Sequence, residues 1–140
     1  MNTQIVLSPI QEKAALTLLE GFAGGRVLVL HGAPGSGKTT ILRHLHNRRG
    51  GAFIAVRGFR ETVEEAFLRA FEDAMHTHDL VLVDDLHLVT ARRGTRRYLL
   101  DAALTSMLGE ASALNRTLVF TLRGGTPWSI ERRAFTWAIG

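Results

Sequence analysis

Gly32, Gly35, Gly37, Lys38 and Thr39 stand at the spacing G-x-x-x-x-G-K-[ST] within HGAPGSGKTT, residues 31–40. That is the spacing of a loop that cradles phosphate. Glycines let a backbone close around an anion and turn its N–H groups inward. Ala33, Pro34 and Ser36 fill the loop, and Thr40 comes directly after it. In this pattern Lys38 reaches the β- and γ-phosphates of a nucleotide, and the Thr39 hydroxyl ligates Mg²⁺. Lys38 is one of only two lysines in the chain, against 15 arginines. A glycine-rich turn that matches by chance is the competing reading, and the flanking residues decide between them. VLVL (27–30) before the loop has strand character, and Ile41, Leu42 and Leu45 after it mark one helical face. A helix starting there adds its positive dipole end to the loop.

A second candidate lies in LVLVDDLHLV, residues 80–89. Four apolar residues end in two aspartates. A buried parallel strand delivers the next residues of the chain to its carboxyl edge, where ligands of open α/β sheets bind. Asp84 is thereby placed to hold Mg²⁺, and Asp85 to orient or activate an attacking water. The alternative is a pair of aspartates that only caps a strand end.

The elements that must position these residues can be read from periodicity. Residues 9–20 read as a helix with proline in its first turn. A strand at 26–30, the loop, and a helix to about Asn47 come next. AFIAV (52–56), LVLV (80–83) and TLVFTL (117–122) read as further strands. TVEEAFLRAFEDAMH (62–76) is amphipathic, with Val63, Ala66, Phe67, Ala70, Phe71 and Ala74 on one face. Thr62 and Glu65 are spaced as a capping box. Residues 96–108 read as another helix. Strands that are apolar without alternation, and that alternate with helices, predict an α/β fold of three layers: a mostly parallel sheet with helices on both faces.

The chain has 140 residues, 46% of them hydrophobic, and a net charge of +4. That length suits one domain, expected to span 1–140. There is no cysteine, which excludes disulfides and cysteine-based zinc sites. No run approaches a membrane span and no secretory pattern opens the chain, so the cytoplasm is the expected location. His44/His46 and His76/His78 are each two apart, so neither pair converges on a metal. The pair Arg48-Arg49 reads as a solvated surface. No N-K-x-D segment of the GTPases is present.

With these residues in view the sequence resembles the AAA+ ATPases, which are P-loop NTPases. HGAPGSGKTT is similar to their Walker A and VLVDDLH to their Walker B. Residues 97–140 resemble the stretch that carries sensor 1 and the arginine finger. The resemblance implies ATP and Mg²⁺ as ligands, and Lys38, Asp85 and Thr121 as catalytic residues, with Leu122 as the alternative at the sensor position. It implies that Arg132 or Arg133 acts on nucleotide held by a neighbouring copy in a homo-oligomer. Three departures stand out. Asp85 replaces the usual Glu, as in DnaA-like initiators and transposition helpers. RGFRE (57–61) is short for a substrate-gripping loop. The chain ends at Gly140, about where a fifth strand runs and before the helical lid. The leading expectation is a Mg²⁺-dependent ATPase core. Its rivals are a nucleotide-gated switch that hardly hydrolyses, and an ATPase helper that acts on DNA. The remodelled partner, protein or DNA, is not specified by the residues.

Overall fold

The computed structural model describes residues 7–20, 26–33, 36–58, 63–90, 95–123 and 134–139. Pro34, Gly35, Thr62, Arg132 and Arg133 lie outside the described residues. Helix α1 (Pro9–Glu20) leads to strand β1 (Val27–Gly32), α2 (Lys38–Arg49) and β2 (Ala52–Ala55). Next come a 3₁₀ turn (Val56–Gly58), α3 (Val63–Thr77), β3 (Leu80–Asp84) and a short α4 (His87–Thr90). The chain continues through α5 (Thr95–Ala113), β4 (Thr117–Leu122) and β5 (Ala134–Ile139).

The strands form one sheet in the order β2-β3-β4-β1-β5, and every pairing is parallel. Alternation along each strand divides the side chains between two cores. Val27, Val29, Val81, Val83, Leu118 and Phe120 pack with Phe67, Phe71 and Met75 of α3 and with Leu104 and Leu108 of α5. Leu28, Leu30, Leu80, Leu82 and Val119 pack on the opposite face with Leu18 of α1 and Ile41, Leu42 and Leu45 of α2. In the strands VLVL and LVLV, valines therefore face one helix layer and leucines the other. The expected three-layer α/β fold is present.

Burial overrides propensity in α2. Its threonines and histidines each cost a few tenths of a kcal/mol in helix propensity. Ile41, Leu42 and Leu45 are fully buried, at about 1.5–3 kcal/mol each. In α3 the expected face is inward at Phe67, Phe71 and Ala74, and Met75 joins it. Ser8 caps α1 reciprocally with Gln11: the Ser8 N–H donates to Gln11 Oε1 at 3.0 Å and the Gln11 N–H donates to Ser8 Oγ at 3.3 Å. The S-x-x-Q spacing of a capping box thus marks the start of α1, beyond the proline signal alone.

Several boundaries differ from expectation. β1 runs two residues further, to Gly32, because β5 pairs with it through Gly32↔Ile139. β2 stops at Ala55, and Val56 turns into the buried core through the 3₁₀ turn. β3 includes Asp84, which pairs with Ala55. Helix α5 extends to Ala113, because the stripe of Leu104 and Leu108 continues to buried Ala111. It stops where Asn115 takes a left-handed φ of 58° and the Arg116 N–H closes on the Ala111 carbonyl at 2.9 Å.

Between α2 and β2 the chain turns through two glycines of positive φ. A Cβ on Gly51 (φ +89°) would sit 2.5 Å from the backbone oxygen of Leu80, whereas one on Gly50 (φ +72°) would meet nothing within 4 Å. Gly50 pairs its positive φ with ψ −142°, a region close to glycine-only that costs another residue roughly 1–3 kcal/mol. Gly50→Ala is expected to lose about that much in urea unfolding. Gly51→Ala is expected to lose clearly more, because the β2–β3 backbone must also shift. Equal losses would contradict this.

Candidate functional site

All five strands run in the same direction, so their carboxyl ends share one edge. β1 delivers Gly32 there, β3 delivers Asp84 and β4 delivers Thr121. Thr121 lies opposite Leu30 of β1 and one residue beyond the Val83–Phe120 pair with β3. The glycine-rich loop leaves β1 and enters α2 at this edge. Gly37 takes φ 92° and ψ 17°, a left-handed conformation that turns the chain directly into the helix. Its Cα side is filled by α1, where Gln11 Nε2 lies 2.0 Å from where a Cβ would be.

The loop and the strand ends meet in one hydrogen-bonded cluster. Thr39 Oγ1 donates to Asp84 Oδ2 at 2.8 Å. Thr121 Oγ1 donates to the other carboxylate oxygen, Asp84 Oδ1. The Asp85 N–H in turn donates to Thr121 Oγ1 at 2.9 Å, and Leu86 N–H donates to the Thr121 carbonyl at 2.9 Å. Asp84, Asp85 and Thr121 are all buried. Asp85 has φ 61°, which aspartate tolerates better than most residues. Its carboxylate pairs with exposed Arg57, whose Nε lies 3.1 Å from Oδ2.

Lys38 is buried at 7% exposure. Its ammonium donates to the Gly32 carbonyl and to the Ala33 carbonyl, the latter at 3.1 Å. Among the described residues it makes no ion pair. Burial pushes its pKa down, while the charges of Asp85 and then Asp84 hold it up and Arg123 lowers it further. Burying an unpaired cation is costly, so an anion at this place would be stabilised. Ser36 Oγ is buried and, among the described residues, has no hydrogen-bond partner. An unpartnered hydroxyl beside an uncompensated ammonium fits a phosphate. Thr39 and Asp84 offer hydroxyl and carboxylate oxygens, the donor set of a hard cation such as Mg²⁺. Thr40 is half-buried on the same turn of α2, and Ala33 is exposed.

The structure thus brings Lys38, Thr39, Asp84, Asp85 and Thr121 together. Leu122, the alternative sensor, is buried in the apolar core shared with α3 and α5. The finger candidates Arg132 and Arg133 lie outside the described residues. Sequence reasoning missed Arg57, His31 and His87. The signal for Arg57 was available, since it lies just past β2 at the same carboxyl edge as Asp85. Away from this edge, exposed Glu72, His76 and Glu110 bring ligand atoms within 4.8 Å of one another. There His76 meets Glu110 Oε1 at 2.9 Å, joining α3 to α5.

Comparison with known proteins places this geometry among relatives. The sequence profile of the "ATPase family associated with various cellular activities (AAA)" matches residues 28–135. No curated protein sequence matches the chain. The fold is similar to domain III of the Thermotoga maritima replication initiation protein DnaA, with TM-score 0.69 and 16% identity over 96% of this chain and 64% of that one. It is also similar to a DNA replication initiation factor, with TM-score 0.61 and 14% identity over 97% of this chain and 48% of that one. The chain spans less than two thirds of the length of either structure, and at these identities the likeness is one of fold. No helix of the described residues is long and apolar enough to cross a membrane.

His31 and His87 flank the cluster, and burial is the main cause that lowers the pKa of each from 6.5. For His31 the Lys38 charge adds to the effect. For His87 Asp85 opposes it, while Arg123, Lys38 and Arg57 reinforce it. A lowered folded pKa means that the unfolded chain binds more protons once the pH falls below about 6.5. Stability contributed by the neutral rings is therefore full above that pH and lost as the pH drops toward the folded values. Urea midpoints measured from pH 7.5 to 5.5 are expected to fall, and His31→Asn/His87→Asn to flatten the fall. An unchanged slope in the double variant would contradict these shifts.

Proposed function

The chain belongs to the AAA family of ATPases, and from that premise we propose that it binds ATP with Mg²⁺ at the glycine-rich loop and hydrolyses it. The observation that supports this most is the meeting of Thr39 with Asp84 beside a buried Lys38 that, among the described residues, lacks an anionic partner. Residues 32–40 would hold the phosphates, with Lys38 turning from the loop carbonyls to the β- and γ-phosphate oxygens. Thr39 and Asp84 would hold Mg²⁺. The ion, when bound, neutralises charge on the phosphates. Asp85 would orient the attacking water and accept its proton as the bond from the γ-phosphorus to its bridging oxygen breaks.

A second reading, a nucleotide-gated switch with little turnover, is favoured by the Arg57–Asp85 pair. A carboxylate engaged by a guanidinium is held away from other tasks. In both readings residues 1–140 act as an AAA+-type core domain. Arg132 or Arg133 would complete the site of a neighbouring copy, so association would raise turnover. Whether the assembly remodels protein or DNA is left to experiment.

The test combines nucleotide titration with turnover. Lys38→Ala is expected to weaken ATP binding at least about tenfold, the loss of a charge-assisted hydrogen bond, while the fold persists. Asp85→Asn is expected to retain binding and lose turnover by about 100-fold or more. Wild-type affinity in Lys38→Ala would end the nucleotide reading. Tight binding by the wild type without measurable turnover, even at high protein concentration, would select the switch.

A further inference from the structure

The sensor role implied for Thr121 requires its hydroxyl to donate to the nucleotide. A threonine hydroxyl carries a single hydrogen and two lone pairs. Here the hydrogen goes to Asp84 Oδ1, and one lone pair accepts the Asp85 N–H at 2.9 Å. Nothing remains to donate to a phosphate oxygen. The side chain is fully buried at 0% exposure, between Leu30 of β1 and the end of β3. Thr39 uses its hydrogen in the same way on Asp84 Oδ2. Its remaining lone pairs, however, lie at the start of α2 beside the loop. The two threonines therefore have different fates: Thr39 keeps an oxygen for a cation, and Thr121 has no free donor.

We propose that Thr121 is a positioning residue for the metal rather than a sensor of the γ-phosphate: its buried hydroxyl fixes the rotamer of Asp84 and the backbone of Asp85. The proposal rests on the nucleotide reading given above. Held at both oxygens, the Asp84 carboxylate is kept in one rotamer, with a lone pair left on each oxygen. Ligand geometry fixed before the ion arrives lowers the cost of binding it, and groups that orient a ligand tune affinity about as strongly as 10–100-fold. The Asp85 N–H bond holds that residue at its positive φ, so one hydroxyl sets both aspartates. The two roles separate cleanly. A γ-phosphate sensor distinguishes ATP from ADP whether or not the metal is present. A positioner of the metal ligand acts equally on both nucleotides, and only with metal.

The experiment measures ATP and ADP affinity of the whole chain in Mg²⁺ and in EDTA, for wild type, Thr121→Val and Thr121→Ser. Valine keeps the shape and removes the hydroxyl, and serine restores it. Thr121→Val is expected to lose about tenfold of the Mg²⁺-dependent gain in affinity, equally for ATP and ADP, with unchanged affinity in EDTA. Thr121→Ser is expected to recover most of the loss. A loss confined to ATP, a loss that persists in EDTA, or no loss would each overturn the proposal. If Thr121→Val does not fold, Thr121→Cys, whose thiol is a weaker donor, is expected to show an intermediate Mg²⁺-specific loss, and wild-type behaviour there would overturn it equally. Failure of the wild type to bind either nucleotide in any condition would instead overturn the nucleotide reading, and this proposal with it.

Discussion

A carboxylate buried at 4% exposure must have its oxygens satisfied, and at Asp84 this is done from two different elements. Thr39 of α2 takes one oxygen and Thr121 of β4 takes the other. An unpaired buried carboxylate would cost several kcal/mol, so the positions of α2 and β4 relative to β3 are tied to this group. The parallel sheet makes the arrangement possible. β3 and β4 are neighbours and β4 lies against β1, so the loop after β1 reaches the end of β3 with Thr121 between them. An antiparallel neighbour would have placed its carboxyl end at the opposite edge.

Around this pin Lys38 is as buried as the two aspartates, and Arg57 alone of the four charged groups is exposed. Asp84 and Asp85 are buried, Lys38 sits within their field, and Arg57 reaches Asp85 from an exposed turn. The aspartates support Lys38 in its charged form against desolvation, yet no carboxylate touches it among the described residues. That balance leaves a cation poised for a ligand rather than consumed by the fold. Arg57 does the reverse for Asp85 and engages it within the protein. The two ion environments differ because Lys38 stands where the loop enters α2, whereas Arg57 approaches from the 3₁₀ turn that follows β2.

Much of this was legible in the sequence, for identifiable reasons. The loop is a fixed spacing of glycines and one lysine, and the apolar runs VLVL and LVLV are too uniform for a half-exposed strand. Phe67 and Phe71 lie four apart and stack in the core with centroids 5.6 Å apart. The illegible part depends on which strands are neighbours. Nothing in TLVFTL indicates that Thr121 meets Asp84, because that contact is set by strand order and register. The place of Arg57 just past β2 was readable, but its pairing with Asp85 depends on β2 lying beside β3. The hydroxyl's direction, which separates a sensor from a positioner, comes only from geometry. The capping box of Ser8 and Gln11, by contrast, is local, and its spacing alone is enough to find it.

In the proposed function the cation and its nucleotide sit at the carboxyl edge, against Asp84. Mn²⁺ can replace Mg²⁺ as a paramagnetic hard cation, and amide NMR signals near it broaden. With ATP and substoichiometric Mn²⁺, broadening is predicted to centre on Ser36–Thr39, Asp84, Asp85 and Thr121. Asp79 and Arg116, at the amino ends of β3 and β4, should stay sharp. Broadening centred instead on Glu72, His76 and Glu110, where exposed ligand atoms lie within 4.8 Å of one another, would contradict the account.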